Sequence, residues 1–110
     1  MSDTTIRSLN PDKELQMKIL KFSLRIKARQ EIEMPASAQL LSAQMQGDTP
    51  QLWALCNEHA KKEYRLLSTY GTGERMPPEP GIYVATFQAC DGLLVWHLFD
   101  LGAMSAECPT

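Results

Sequence analysis

The sequence predicts a mainly β protein, a single small antiparallel β-sandwich or partly closed barrel of about seven strands. Three observations carry this. Apolar and polar residues alternate with a period of two from Lys18 to Lys27. Short Gly, Asp and Pro clusters punctuate the later apolar runs. Asp91-Gly92 stands between two such runs, as in a tight hairpin.

Residues 1–16 are polar, with a turn signal at Asn10-Pro11-Asp12, and are expected to form a flexible extension. A short helix over Pro11–Met17, capped by Asn10, is the alternative, since proline suits a first helical turn. The β domain is expected over residues 17–101. Leu20, Phe22, Leu24 and Ile26 share one face of its first strand, with Lys21, Ser23, Arg25 and Lys27 on the other. Glu31-Ile32-Glu33-Met34 continues the alternation up to Pro35. We therefore expect an antiparallel pair joined around Ala28–Gln30, its cations facing Glu31 and Glu33. Gly47-Asp48-Thr49-Pro50 then links the runs Gln39–Gln46 and Gln51–Cys56 as a hairpin. Helix is the rival over Ala36–Gln46, because Ala, Leu, Gln and Met favour it.

Lys62–Tyr70 reads as a strand with Tyr64, Leu66, Ser68 and Tyr70 on one face. Met76–Gly81 holds three prolines and forms a stiff connector. The last hairpin joins Ile82–Cys90 to Leu93–Leu101 through a type I′ turn at Asp91-Gly92. Its register places Ala85, Phe87, Ala89, Leu94, Trp96 and Leu98 on a core face. Val84, Thr86, Gln88, Val95, His97 and Phe99 form a mixed face. Trp53, Trp96, Phe87 and Tyr83 are assigned by pattern mostly to the core. The tail, 102–110, is expected to be disordered.

Composition narrows the function. A chain of 110 residues holds one domain, and 44% hydrophobic content argues against wholesale disorder. Net charge is −2, and the basic residues are scattered, so duplex nucleic acid is not an expected partner. The three cysteines, Cys56, Cys90 and Cys108, include no C-x-x-C pair and do not suggest a disulfide framework. No signal core or membrane-length apolar run is present, so the expected setting is cytoplasmic, with no membrane partner.

His97 is the leading titratable candidate, beside Thr86 and Gln88 on the mixed face, although Asp100 should point the opposite way. A surface or interface histidine is the plainer reading of it. Cys56 and His59 have C-x-x-H spacing, but half a zinc site is missing, so neither metal nor cofactor is expected. Tyr70-Gly71-Thr72-Gly73-Glu74-Arg75 invites comparison with an anion-binding turn. Backbone N–H groups at Gly71 and Gly73, with Arg75 and help from Lys61, Lys62 or Arg65, would hold an anionic nucleotide. A tight turn leaving a strand is the alternative. No serine sits in a nucleophile elbow, and no enzyme is expected. Trp53 and Leu55 lie on the face opposite Leu52, Ala54 and Cys56. A strand apolar on both faces must be covered twice, by a second layer or by another subunit, so a homo-oligomer or a partner surface is expected.

Several motifs in order carry a family resemblance over about three-quarters of the chain. They are Met17-Lys18-Ile19-Leu20-Lys21-Phe22, Met34-Pro35-Ala36, Leu52-Trp53-Ala54-Leu55, Tyr70-Gly71-Thr72-Gly73, Pro80-Gly81-Ile82-Tyr83, Thr86-Phe87-Gln88 and Val95-Trp96-His97-Leu98-Phe99. With these the chain resembles small proteins of unknown function encoded by tailed bacteriophages and prophages, departing from them in residues 1–16 and past Gly102. The resemblance implies a phage setting and a non-enzymatic protein that binds and inhibits a host component, such as a defence complex. An oligomeric sponge for an anionic nucleotide and a virion or morphogenesis accessory are the alternatives.

Overall fold

The structure is a computed structural model that describes residues 16–104. Its seven strands are β1 (Met17–Ser23), β2 (Arg29–Pro35), β3 (Gln39–Gln46), β4 (Thr49–Asn57), β5 (Lys62–Gly71), β6 (Ile82–Ala89) and β7 (Leu94–Met104). All pairings are antiparallel, in a three-stranded sheet ordered β1-β4-β3 and a four-stranded sheet ordered β2-β5-β7-β6. The fold is a two-sheet sandwich, not a closed barrel. Among the described residues there is no helix long and apolar enough to cross a membrane. The expected extension lies outside the described residues up to residue 15, as do residues 105–110 of the expected tail.

The core sits between the sheets, where period-two alternation delivers one face of each strand. Leu24, Met34, Ala43, Leu52, Ala54, Cys56, Leu67, Ala85, Phe87 and Leu98 are buried there. Ala36–Gln46, where helix competed, contains strand β3, which pairs with β4 along its length; an extra residue at Leu41 keeps Leu40 and Ala43 on one face, opposite Ala54 and Leu52. The hairpin turn is Gly47-Asp48, with Gly47 in the left-handed region.

The expected pairing of the first two strands is wrong. β1 pairs with β4 in one sheet, and β2 pairs with β5 in the other. Residues 24–28 cross between the sheets, which leaves Ile26 exposed instead of in line with Leu20, Phe22 and Leu24. Alternation states which residues share a face; it carries no information about which strand lies alongside.

The last hairpin has the expected register from Ala85–Leu98 to Ala89–Leu94. Asp91 and Gly92 both have positive φ, and the Leu93 N–H donates to the Cys90 carbonyl, as a type I′ turn requires. Leu94, expected in the core, is exposed at the start of β7. The expected tail also begins too early, because β7 continues through Gly102, Ala103 and Met104 against β5.

Three bulges reset the faces. Leu41, Val84 and Leu101 are each one residue too many for the partner strand. The bulge at Val84 turns Tyr83 outward to sit opposite Phe99, so Tyr83 is 55% exposed rather than in the core. At Leu101 the incoming connector passes so close that a Cβ on Gly81 would meet the Asp100 carbonyl at 2.5 Å.

Arg65 points into the sandwich, its side chain only 8% exposed. Its guanidinium donates to Asp100 Oδ2 on β7 (2.9 Å) and to the Ala38 carbonyl just before β3 (2.7 Å). A buried charge is tolerated only when its partners are present. Arg65→Met should therefore lower unfolding free energy by about 3–5 kcal/mol, by stranding Asp100. In urea titrations the R65M/D100L double variant should lose less than the sum of the two single losses.

Candidate functional site

The outer face of the four-stranded sheet carries two rows of side chains, fixed by register. Tyr70, His97 and Thr86 lie opposite one another across β5, β7 and β6; Ser68, Phe99 and Tyr83 form the next row. Directly opposed residues on neighbouring strands are the closest side-chain pairs in a sheet. Phe99 meets Tyr70 edge-on at 5.8 Å and Tyr83 edge-on at 5.7 Å. Such T-shaped contacts are the favoured aromatic geometry.

His97 is bonded through both ring nitrogens. Nε2 lies 2.8 Å from Thr72 Oγ1, Nδ1 lies 3.0 Å from Thr86 Oγ1, and Thr86 Oγ1 lies 2.6 Å from the Tyr83 hydroxyl. In a neutral imidazole one nitrogen donates and the other accepts, so this chain runs in one direction at a time. It holds the imidazole and the Tyr83 ring in place. Asp100 takes no part, since it is bonded to Arg65 on the inner face as the strand parity demands. Among the described residues no carboxylate, serine or cysteine is hydrogen-bonded to His97.

The β5–β6 connector closes one side of this face. With Tyr70, Met76, Tyr83, His97 and Phe99 it encloses a shallow, mostly apolar cavity of about 230 Å³. Three of the turn's backbone donors are already bonded within the protein. Gly71 N–H donates to Glu74 Oε1 (2.8 Å), Thr72 N–H to the Val95 carbonyl (3.3 Å), and Glu74 N–H to the Gly71 carbonyl (3.1 Å). The carboxylate of Glu74 thus takes the Gly71 donor that an anionic ligand at this turn would use.

Of the residues singled out in the sequence, Tyr70, Gly71, Gly73 and His97 meet at this cavity, and Arg75 does not line it. Arg65 is a buried structural cation. Lys61 and Lys62 stand at the opposite end of β5 from Gly71. Trp53 and Leu55 are half-buried on the outer face of the other sheet, opposite Lys21 and Ile19 of β1. Tyr83, Phe99, Thr72, Thr86 and Met76 were not singled out. The mixed composition of the 84–99 face pointed toward Thr86 and Phe99, while Tyr83 depends on a bulge that leaves no sequence signal.

Cys56 and His59 do not converge. Cys56 is fully buried, with its thiol donating to the Ala54 carbonyl, whereas His59 lies on an exposed turn beside Glu58. No group of three or more His, Cys, Asp or Glu suited to a metal ion occurs among the described residues.

A family model described as a domain of unknown function (DUF7352) matches residues 16–107, most of the chain. The chain belongs to this family. No curated protein and no solved structure matches it. The DUF7352 match begins one residue before β1 and spans every strand, so the aromatic face is part of the family domain.

Burial pushes the Cys56 thiol above its ordinary pKa, with the Arg65 charge pulling less strongly the other way. The unfolded thiol therefore ionises first as pH rises, and stability is lost from the ordinary thiol range upward. Unfolding midpoints measured from neutral pH to about pH 10 should fall less steeply in Cys56→Ala than in the parent protein.

Proposed function

We propose that this DUF7352 protein is a non-enzymatic binding module that docks a partner protein on the aromatic face of its four-stranded sheet. The size and chemistry of the cavity carry this reading. At about 230 Å³ it falls below the ~300–1,000 Å³ of ordinary small-molecule sites, and its walls combine the rings of Tyr70, Tyr83, His97 and Phe99 and the Met76 side chain with the Gly71–Glu74 turn. That space suits one inserted apolar side chain. Tyr and Met are enriched at protein interfaces, where a rigid ring buries much area at little entropic cost. Tyr83 and Met76 are exposed at 55% and 43%, so both have area left to bury.

In the tailed-phage setting that the sequence resemblance implies, the partner is a host protein, a defence component first among them, and docking inhibits it. The outer face of the three-stranded sheet, with Ile19, Trp53 and Leu55, is then the surface that pairs copies of the chain.

The test is native mass spectrometry of the protein recovered from its own cells, with cross-links mapped to the bound species. A stoichiometric protein partner should cross-link beside β6 and survive Arg75→Ala. Tyr83→Ser and Phe99→Ser should each weaken it by at least about tenfold. A bound mass of a few hundred daltons that disappears in Arg75→Ala, with no protein partner, would overturn the reading.

A further inference from the structure

We propose that the corner where the chain crosses between the sheets is a second binding site, for a phosphate-bearing anion. The corner is pinned at both ends and in the middle. Leu24 N–H donates to the Pro50 carbonyl on β4 (2.9 Å), and Thr69 N–H on β5 donates to the Ala28 carbonyl (3.0 Å). Between them the buried Gln30 side chain clamps Arg25. Its Oε1 accepts the Arg25 N–H (3.0 Å) and its Nε2 donates to the Arg25 carbonyl (2.7 Å). A connector tied this way holds its side-chain origins in fixed relative positions, which lowers the ordering cost of binding.

What it displays is positive charge. Arg25, Lys27 and Arg29 are all exposed, and none of them forms a salt bridge or side-chain hydrogen bond among the described residues. Together with Glu31 they line a groove of about 410 Å³, within the range of small-molecule sites, with Ile32 and Leu66 as its apolar part. Three cations face one carboxylate here, in a protein whose net charge is −2. Unpaired like charges at alternate positions repel one another unless an anion lies between them. Two guanidinium groups offer forked donors that match phosphate oxygens, and the lysine adds a point charge. At the Gly71–Arg75 turn, by contrast, the Glu74 carboxylate already accepts the Gly71 N–H and adds a negative charge of its own.

The groove shares no lining residue with the aromatic cavity, so the two sites can be separated. Isothermal calorimetry of residues 1–110 with inorganic triphosphate, and in parallel with a nucleoside triphosphate, tests the site. Saturable binding that weakens about five- to tenfold in each of Arg25→Gln, Lys27→Gln and Arg29→Gln supports it. Lys61→Gln and Tyr83→Ser should leave that binding unchanged, and unfolding midpoints of all variants check that the fold is intact. Equal affinity for the two probes assigns the site to the phosphate chain alone; tighter binding of the nucleoside triphosphate assigns Ile32 and Leu66 to the base. Absence of saturable binding at millimolar probe, or equal weakening in Lys61→Gln, overturns the proposal.

Discussion

One full positive charge inside the sandwich constrains the rest of the structure. Arg65 sits on β5, yet its guanidinium reaches Asp100 on β7 and the carbonyl of Ala38, which leads into β3 of the opposite sheet. Burying a guanidinium costs several kcal/mol unless its donors are met, so these two contacts tie β5 to β7 and across to the residue that leads into the opposite sheet, while Nε is left without a partner among the described residues. Leu67 and Thr69, the next inward residues of β5, then fall against the core, and Tyr70 is sent outward to meet His97. The interaction that closes the fold thereby also sets the face that carries the aromatic site.

Irregularities complete what the regular pairing begins. Without the extra residue at Val84, Tyr83 would point inward; with it, Tyr83, Phe99 and Tyr70 form a continuous edge-to-face array. Bulges reorient side chains at small cost, because only one pair of ladder hydrogen bonds is disturbed. The extra residue at Leu101 lets β7 continue three residues beyond Leu101, to Met104, against β5. Gly81 packs on that bulge because no side chain fits there.

The outer surface of the four-stranded sheet therefore holds two chemistries side by side. The row Arg29, Ser68, Phe99, Tyr83 runs from the cationic corner to the aromatic array across all four strands. Apolar rings next to unpaired cations form a surface with both area and charge to offer. The three-stranded sheet offers Trp53 and Leu55 on its outer face, with no layer over them among the described residues.

By itself the sequence determined the approximate positions of the strands, which residues alternate together along most of each, and the last hairpin with its turn at Asp91-Gly92. These are local properties. A period of two can be read from neighbours, and Asp91-Gly92 states its own backbone preference. It also singled out Tyr70, Gly71 and His97, but as separate features; the pairing of β5 with β7 brings them to one cavity. Tertiary structure alone decided that β1 and β2 part company, since Leu20 and Phe22 fit equally well beside any apolar strand until β4 is present. It alone decided that Arg65 goes inward, because the acceptors that make burial possible come from residues 38 and 100. The exposure of Tyr83, set by the bulged pairing of β6 with β7, and the meeting of Tyr70 with His97 belong to the same class. Each depends on where an unrelated stretch of chain comes to rest, and no local pattern records that.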